Sequence, residues 1–212
     1  MSSPTDRTTT ARAAAKQASL ARILDAGAAR MRSEGLSGAA IGPLMQEAGL
    51  THGAFYAHFP SKNELALAAF SHGFSSGRPR WLGRIRDVSW AARLKRLAQR
   101  YLNQAHRDNL PESCGFAALA SDAARAGPQF RERYEEELRR TLEAIRRPFA
   151  DGDDAATDDT IALMALCVGG LSLSRAVASE ALSMRILRVC QTAAATLADA
   201  ADTQDSTPGK SK

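Results

Sequence analysis

Apolar residues recur along nearly the whole chain at spacings of three and four, the period of a helix with one buried face, and nowhere alternate as in a strand. The pattern resolves into about nine helices. The first is predicted over about Lys16 to Ser33, with Leu20, Ile23, Leu24, Gly27, Ala28 and Met31 as its apolar stripe and Gly35 as its stop. A short helix follows over about Ala40 to Ala48, turning Ile41, Leu44, Met45 and Ala48 inward. Pro43 falls in its first turn, where a missing N–H costs little. Gly49-Leu50 reads as a tight turn and Thr51 to Phe59 as a third helix, broken by Pro60-Ser61. Ser61 with Glu64 three residues on is a capping box for a fourth helix, predicted to reach about Ser75.

Beyond it, the glycine- and serine-rich stretch Gly73 to Pro79 reads as a hinge or loop. A long helix is expected over Ser89 to Arg107, on Leu94, Leu97, Ala98, Tyr101, Leu102 and Ala105. After a loop around Pro111, Cys114 to Ala126 is helical until Gly127-Pro128. Phe130, Tyr134, Leu138, Leu142, Ile145 and Phe149 mark the next helix. Two final helices are expected at about 157–179 and 182–200. The pattern divides the chain into a flexible arm at 1–15, a compact basic module at 16–62, a larger bundle at 63–201, and a disordered tail at 202–212. The fold class is all-α.

Two short helices at a steep angle across a glycine turn are how a helix-turn-helix is written. Its second helix needs small and apolar contacts behind it, here Ala48, Phe55 and Phe59. In front it needs groups that reach phosphates and base edges. Thr51 opens that helix, where its hydroxyl and the free N–H groups suit a phosphate. His52 and Gly53 stand at the base-facing start, Tyr56 and His58 can reach phosphates on either side, and Lys62 supplies a further cation. The DNA-binding candidates are therefore Thr51, His52, Gly53, Tyr56, His58 and Lys62. No metal is expected: His52 and His58, at i and i+6, do not share a helix face, and no Cys or carboxylate completes a set.

The stretch from Gly49 to Leu65, GLTHGAFYAHFPSKNEL, resembles the signature of the TetR/AcrR family of transcriptional regulators, and the resemblance covers about Leu20 to Phe70. It implies an all-helical homodimer with an N-terminal DNA-binding domain and a C-terminal ligand-binding and dimerisation domain. It also implies a repressor released from a double-stranded DNA operator by a small-molecule effector. Two positions depart from the family pattern. Ala40 stands where the family often has a phosphate-contacting Ser or Thr, and Gly42-Pro43 is unusual inside that helix.

Composition changes this picture little. The 212 residues are 44% hydrophobic and 24% charged, with a net charge of +5 and a pI of about 9.4, compatible with a polyanionic partner. The charge is uneven: nine Lys/Arg stand against Asp87 alone between Arg78 and Arg107, while Asp151 to Asp159 holds five aspartates. The basic stretch is either a solvated helix face or a surface for an anionic ligand or flanking DNA. Three cysteines suggest no disulfide framework and a reducing cytoplasm. The N-terminus has no signal-peptide core, and the apolar run Ile161 to Leu173 is short for a membrane span. No phosphate loop, nucleophile elbow, metalloprotease or dinucleotide motif occurs, so neither an enzyme nor a cofactor is expected.

In the second half, Cys114 opens a helix, where free N–H groups and the helix dipole are expected to lower its pKa. With Ala117, Ala118 and Leu119 it resembles a TetR subgroup in which such a cysteine senses electrophiles or oxidants; the alternative is a small residue buried at a helix start. Cys167 and Cys190 read as inert core. Phe116, Tyr101, Tyr134 and Trp90 join Cys114 as ligand or sensor candidates. The last two helices are apolar over too wide an arc for one small bundle. Leu163, Leu166, Gly170, Leu171, Ile186, Val189 and Leu197 are therefore expected at a two-fold dimer interface, which implies a palindromic operator with recognition helices ~34–36 Å apart or a multiple of that. A competing reading, suggested by Ala40 and Pro43, is a ligand-sequestering bundle with a vestigial DNA module.

Overall fold

The computed structural model describes residues 4–83, 89–146 and 154–205, and among these every regular element is helical. Nine α-helices run α1 (Pro4–Glu34), α2 (Ile41–Glu47), α3 (Lys62–Leu82), α4 (Trp90–Tyr101), α5 (Gln104–Asp108), α6 (Gly115–Arg125), α7 (Pro128–Arg146), α8 (Asp154–Ala176) and α9 (Glu180–Asp205). Two 3-10 segments, Gly35–Ala39 and His52–Ala57, interrupt the N-terminal part.

α1 ends where Gly35 takes a φ of 70°, a left-handed conformation that costs glycine little. It packs along α3 and against α2, which in turn packs on the second 3-10 segment. Gly49, at a φ of 66°, makes the turn into the second 3-10 segment. Ile23, Met31, Leu44, Met45, Phe55 and Leu65 are 0–1% exposed and form one small core. The larger bundle is built around α8 and α9, with α4 against both and α6 and α7 closing one side. Ser61 and Ser89 cap α3 and α4, each accepting from the N–H three residues on (3.2 Å in both cases).

The structure departs from the sequence reading at five places. α1 starts at Pro4, so most of the expected arm is helix; Ala11, Ala13, Ala14 and Ala15 carry helix propensity there while exposed. α3 runs through the expected hinge to Leu82. Phe74 is buried on it, and Gly73 packs against α1, so tertiary contacts override two glycines and Pro79. The long helix expected to end at Arg107 breaks at Leu102, and Asn103 caps the short α5 by accepting from the His106 N–H (2.9 Å). The third helix is a six-residue 3-10 segment rather than nine residues of α-helix. α9 continues to Asp205 into the expected tail, and 206–212 lie outside the described residues, as do Pro148 and Phe149.

Within α8, Thr157–Ala176 is long and apolar enough to cross a membrane by length and composition, with mean hydropathy 1.3, which the shorter run read from the sequence was not. Here it is the central helix of the bundle, burying Thr160, Leu163, Met164, Cys167, Leu171 and Ser174. Its apolar character follows from covering on several sides.

Candidate DNA-binding surface and a cavity in the bundle

The His52–Ala57 segment presents one face to the core and one to solvent. Phe55 is fully buried, Phe59 is 7% exposed, and their rings lie 6.0 Å apart. Both support the segment from behind, as expected. Thr51 is its N-cap with extended backbone (ψ 152°), and its side chain makes no capping bond, so the hydroxyl is available outward. His52, Gly53 and Tyr56 are exposed, Tyr56 at 64%. Nothing lies within 4 Å of a Cβ added to Gly53, so the backbone there is open to close approach. The Phe55 ring edges against Tyr56 (5.2 Å) and thereby sets its direction. Lys62 is exposed in the first turn of α3.

His58 is placed differently from the other five. It is half-buried, and its Nε2 lies 2.9 Å from Ser19 Oγ on α1. Burial, with Lys16 nearby, pulls its pKa below the ordinary 6.5, so the ring is neutral at pH 7. It ties the recognition segment to α1. Ala40 is the N-cap of α2 and offers no side-chain bond there, while Pro43 occupies the third helical position without disturbing α2.

The second feature is a cavity of about 400 Å³ between α3, α4, α5, α7, α8 and the start of α6. Phe74, Trp81, Tyr101, Phe116 and Met164 supply its apolar walls. Behind Phe74 and Phe116, whose rings are 4.2 Å apart, Phe70, Phe130 and Tyr134 continue an aromatic cluster. Gly115 lets that wall close up: a Cβ there would stand 3.1 Å from the Phe74 ring, tighter than ordinary contact.

Cys114 lines the cavity as the N-cap of α6, the position the sequence indicated. The expected low pKa does not follow. The side chain sits at the cavity wall, and burial pushes the thiol up; the neighbouring Tyr101 hydroxyl and the Ala117 and Phe116 amides act in the other direction and are outweighed. Desolvation of a thiolate exceeds what a few dipoles return. The Tyr101 hydroxyl is buried beside the Cys114 thiol, and no hydrogen bond of ordinary distance and angle reaches it from the described residues.

His106 completes this corner. Its Nδ1 donates to the Tyr101 carbonyl (2.7 Å) and its Nε2 accepts from the Cys114 N–H (3.2 Å), an arrangement that only the neutral ring satisfies. Burial lowers its pKa accordingly. Arg175 holds the loop before α6, donating to the His106 and Arg107 carbonyls and to Ser113 Oγ (2.7, 2.9 and 2.6 Å).

Of the expected ligand or sensor residues, Cys114, Phe116 and Tyr101 meet in the cavity and two do not. Trp90 stands away from it, its indole N–H donating to Asp159 on α8 (3.0 Å). Tyr134 lies behind the wall, donating to the Phe116 carbonyl (3.1 Å). Sequence reasoning missed Trp81 and Arg78, because the predicted hinge removed the end of α3 from consideration, and Met164, one apolar position among many on α8, carried no signal that it faces a cavity. Cys167 is buried and Cys190 half-buried, and burial raises both thiols.

The basic stretch is mostly absorbed by partners. Arg78 pairs with the buried Glu137 (2.5 Å) and donates to Thr141 Oγ1 (2.9 Å). Arg80 pairs with Glu112, Lys95 with Asp199, and Arg107 with Asp108 and Glu180. Arg84, Arg86 and Asp87 lie outside the described residues.

The expected dimer residues divide. Leu163 and Leu171 are fully buried within the protomer. Gly170 is buried there too: a Cβ on it would meet Cys190 Sγ at 2.8 Å and Leu102 at 3.0 Å. All three serve the bundle's own packing. Leu166, Ile186 and Leu197 are half-buried, and Val189 is 58% exposed. The exposed apolar positions on this side are Ile161, Leu173, Leu182 and Val189.

The described residues thus form an all-helical chain with a helix-turn-helix at one end and a cavity-bearing bundle at the other. Residues 23–69 match the model of the bacterial regulatory proteins of the tetR family. That segment spans the helix-turn-helix, so the N-terminal module is similar to the DNA-binding part of TetR-family regulators. Its fold is similar to that of a TetR transcriptional regulator from Chloroflexus aurantiacus J-10-FL (TM-score 0.68, 23% identity, 85% of this chain and 94% of that one). It is also similar to the reduced form of NemR from E. coli (0.65, 18%, 84% and 96%) and to a TetR-family regulator from Cytophaga hutchinsonii (0.63, 20%, 92% and 97%). No curated protein matches the sequence.

Proposed function

We propose that the chain is a repressor that binds a palindromic double-stranded operator as a homodimer and leaves it when a small molecule occupies the cavity. Helix α6 carries this reading. Its N-cap, Cys114, lines the cavity, and towards its other end Asp122 Oδ2 accepts from the Leu36 N–H beside the DNA-binding core (3.3 Å). The Arg32 bond to the Pro111 carbonyl (2.5 Å) ties α1 to the loop that precedes α6. A ligand that displaces the start of α6 therefore acts on an element bonded to the helix-turn-helix. Release by modification of Cys114 is the second route. Its place on the cavity wall favours it, while burial holds the thiol protonated.

In this reading Thr51, Gly53, Tyr56 and Lys62 form the DNA-facing surface with His52, and His58 positions the segment. The dimer forms through the exposed sides of α8 and α9 around Ile161, Leu173, Leu182 and Val189. The regulator acts in the cytoplasm, without a cofactor. The DNA-binding domain is α1, α2 and the recognition segment with the first turns of α3, and the remaining helices form the ligand-binding and dimerisation domain.

The test is a selection from random DNA followed by gel shifts on the selected sequence. A two-fold symmetric site is expected, with Lys62→Ala weakening all sequences and His52→Ala changing preference. Selection of no symmetric sequence refutes the operator reading. For the cysteine route, a thiol-reactive electrophile that releases wild type and Cys114→Ser equally rules it out.

A further inference from the structure

The cavity's chemistry narrows what it takes. Phe74, Trp81, Phe116 and Met164 give it an apolar side, and polar side chains including Ser113 and Thr141 line the rest. Three arginines line it. Two are neutralised, Arg78 by Glu137 and Arg80 by Glu112. Arg100 is not: its guanidinium donates to the Trp81 carbonyl (3.4 Å), and no carboxylate pairs with it among the described residues. It lies against Gly83, at a φ of 62°, where a Cβ would overlap the guanidinium. A glycine at this turn thus makes room for an exposed, uncompensated cation at the cavity's edge. A second observation is independent of it: Tyr101 is 2% exposed, lines the same cavity, and its hydroxyl, beside the Cys114 thiol, makes no hydrogen bond of ordinary geometry among the described residues.

Resting on the reading of this cavity as the effector site, we infer that the effector class is an apolar, ring-bearing monocarboxylate with a second hydrogen-bond acceptor at its far end. The ring lies between Phe74, Trp81 and Phe116, the carboxylate meets Arg100 at the edge, and the acceptor takes the Tyr101 hydroxyl. His106 offers no competing donor, because both its ring nitrogens are engaged. The volume of about 400 Å³ suits a two-ring molecule and lies in the range of small-molecule sites. An apolar body is held by wall area, whereas the two ends supply selectivity, since a buried donor and a lone cation each reward a matching group.

The experiment measures binding of three probes to the full chain by titration calorimetry: 6-hydroxy-2-naphthoate, its carboxamide, and 2-naphthoate, which lacks the second acceptor. Wild type is expected to prefer the acid over the amide, and the hydroxylated over the plain acid, each by about tenfold. Arg100→Gln should abolish the first preference and keep the second, and Tyr101→Phe should do the reverse. Both variants alter an exposed group or remove a hydroxyl that makes no ordinary hydrogen bond among the described residues, and thermal unfolding checks that each remains folded. Equal binding of acid and amide by wild type, or no binding of any probe, overturns the inference. Gel shifts on selected DNA separate this result from the regulator reading. Probe selectivity without operator binding sinks only the repressor, and operator binding without probe selectivity sinks only the ligand class.

Discussion

His106 makes the start of α6 sensitive to pH, and the sign follows from its bonds. The neutral ring donates from Nδ1 to the Tyr101 carbonyl and accepts at Nε2 from the Cys114 N–H. Protonation turns that acceptor into a donor and sets two N–H groups against each other. Burial lowers the folded-state pKa from the ordinary 6.5. The unfolded chain therefore takes up a proton first as pH falls through 6.5. The stability His106 contributes is present above 6.5, is lost as pH falls from there towards the folded-state pKa, and is constant below it. A buried N–H left without an acceptor costs about 1–3 kcal/mol, which sets the size of the loss, and one group changes stability by at most ~1.4 kcal/mol per pH unit. For a chain of 212 residues each kcal/mol is about 2–4 °C in Tm. The assay is urea unfolding of wild type and His106→Gln at half-unit steps from pH 7.5 to 5.5. The Gln amide oxygen can take the place of Nε2 as acceptor and does not titrate. The difference between the two curves isolates His106 from His52, His58 and His72. Wild type is expected to lose stability relative to the variant as pH falls. Parallel curves, or a wild type that gains stability on acidification, would refute the assigned tautomer and its burial.

Three further outcomes follow from packing. Phe55→Ala should destabilise the protein by about 3–5 kcal/mol and abolish operator binding although Phe55 faces away from DNA, and full affinity in a gel shift would contradict its supporting role. Glu137→Leu should cost about 3–5 kcal/mol in chemical unfolding by leaving Arg78 unpaired beside the cavity, whereas Arg78→Leu/Glu137→Leu should recover most of it; additive losses would show that the pair is not coupled. Val189→Asp places a charge on an exposed apolar surface, so it should leave the protomer folded but shift it from dimer to monomer in light scattering. An unchanged mass moves the interface elsewhere.

The N-terminal module was legible because its signals are local. Gly49 has the positive φ that the turn demands, Ser61 caps α3, and Phe55 and Phe59 sit one turn apart on the buried side. Each of these depends on residues within a few positions. The end of α3 was misread because glycine, serine and Pro79 lower helix propensity, while Phe74 and the α1 contact that sustain the helix come from elsewhere in the chain. The break at Leu102 was hidden for the converse reason: the apolar stripe continues across it to Ala105.

The sequence alone determined an all-helical protein with a helix-turn-helix, the outward faces of Thr51, His52, Gly53 and Tyr56, and the place of Cys114 at a helix start. Tertiary structure decided what those residues do. It turned His58 towards Ser19 and buried Cys114 until its thiol rises rather than falls. It also drew Leu163, Gly170 and Leu171 into the protomer and, among the described residues, left Arg100 without a carboxylate and the Tyr101 hydroxyl without an ordinary hydrogen bond at one cavity. Periodicity reports which face of a helix is apolar, whereas desolvation and pairing depend on what packs against that face from distant parts of the chain.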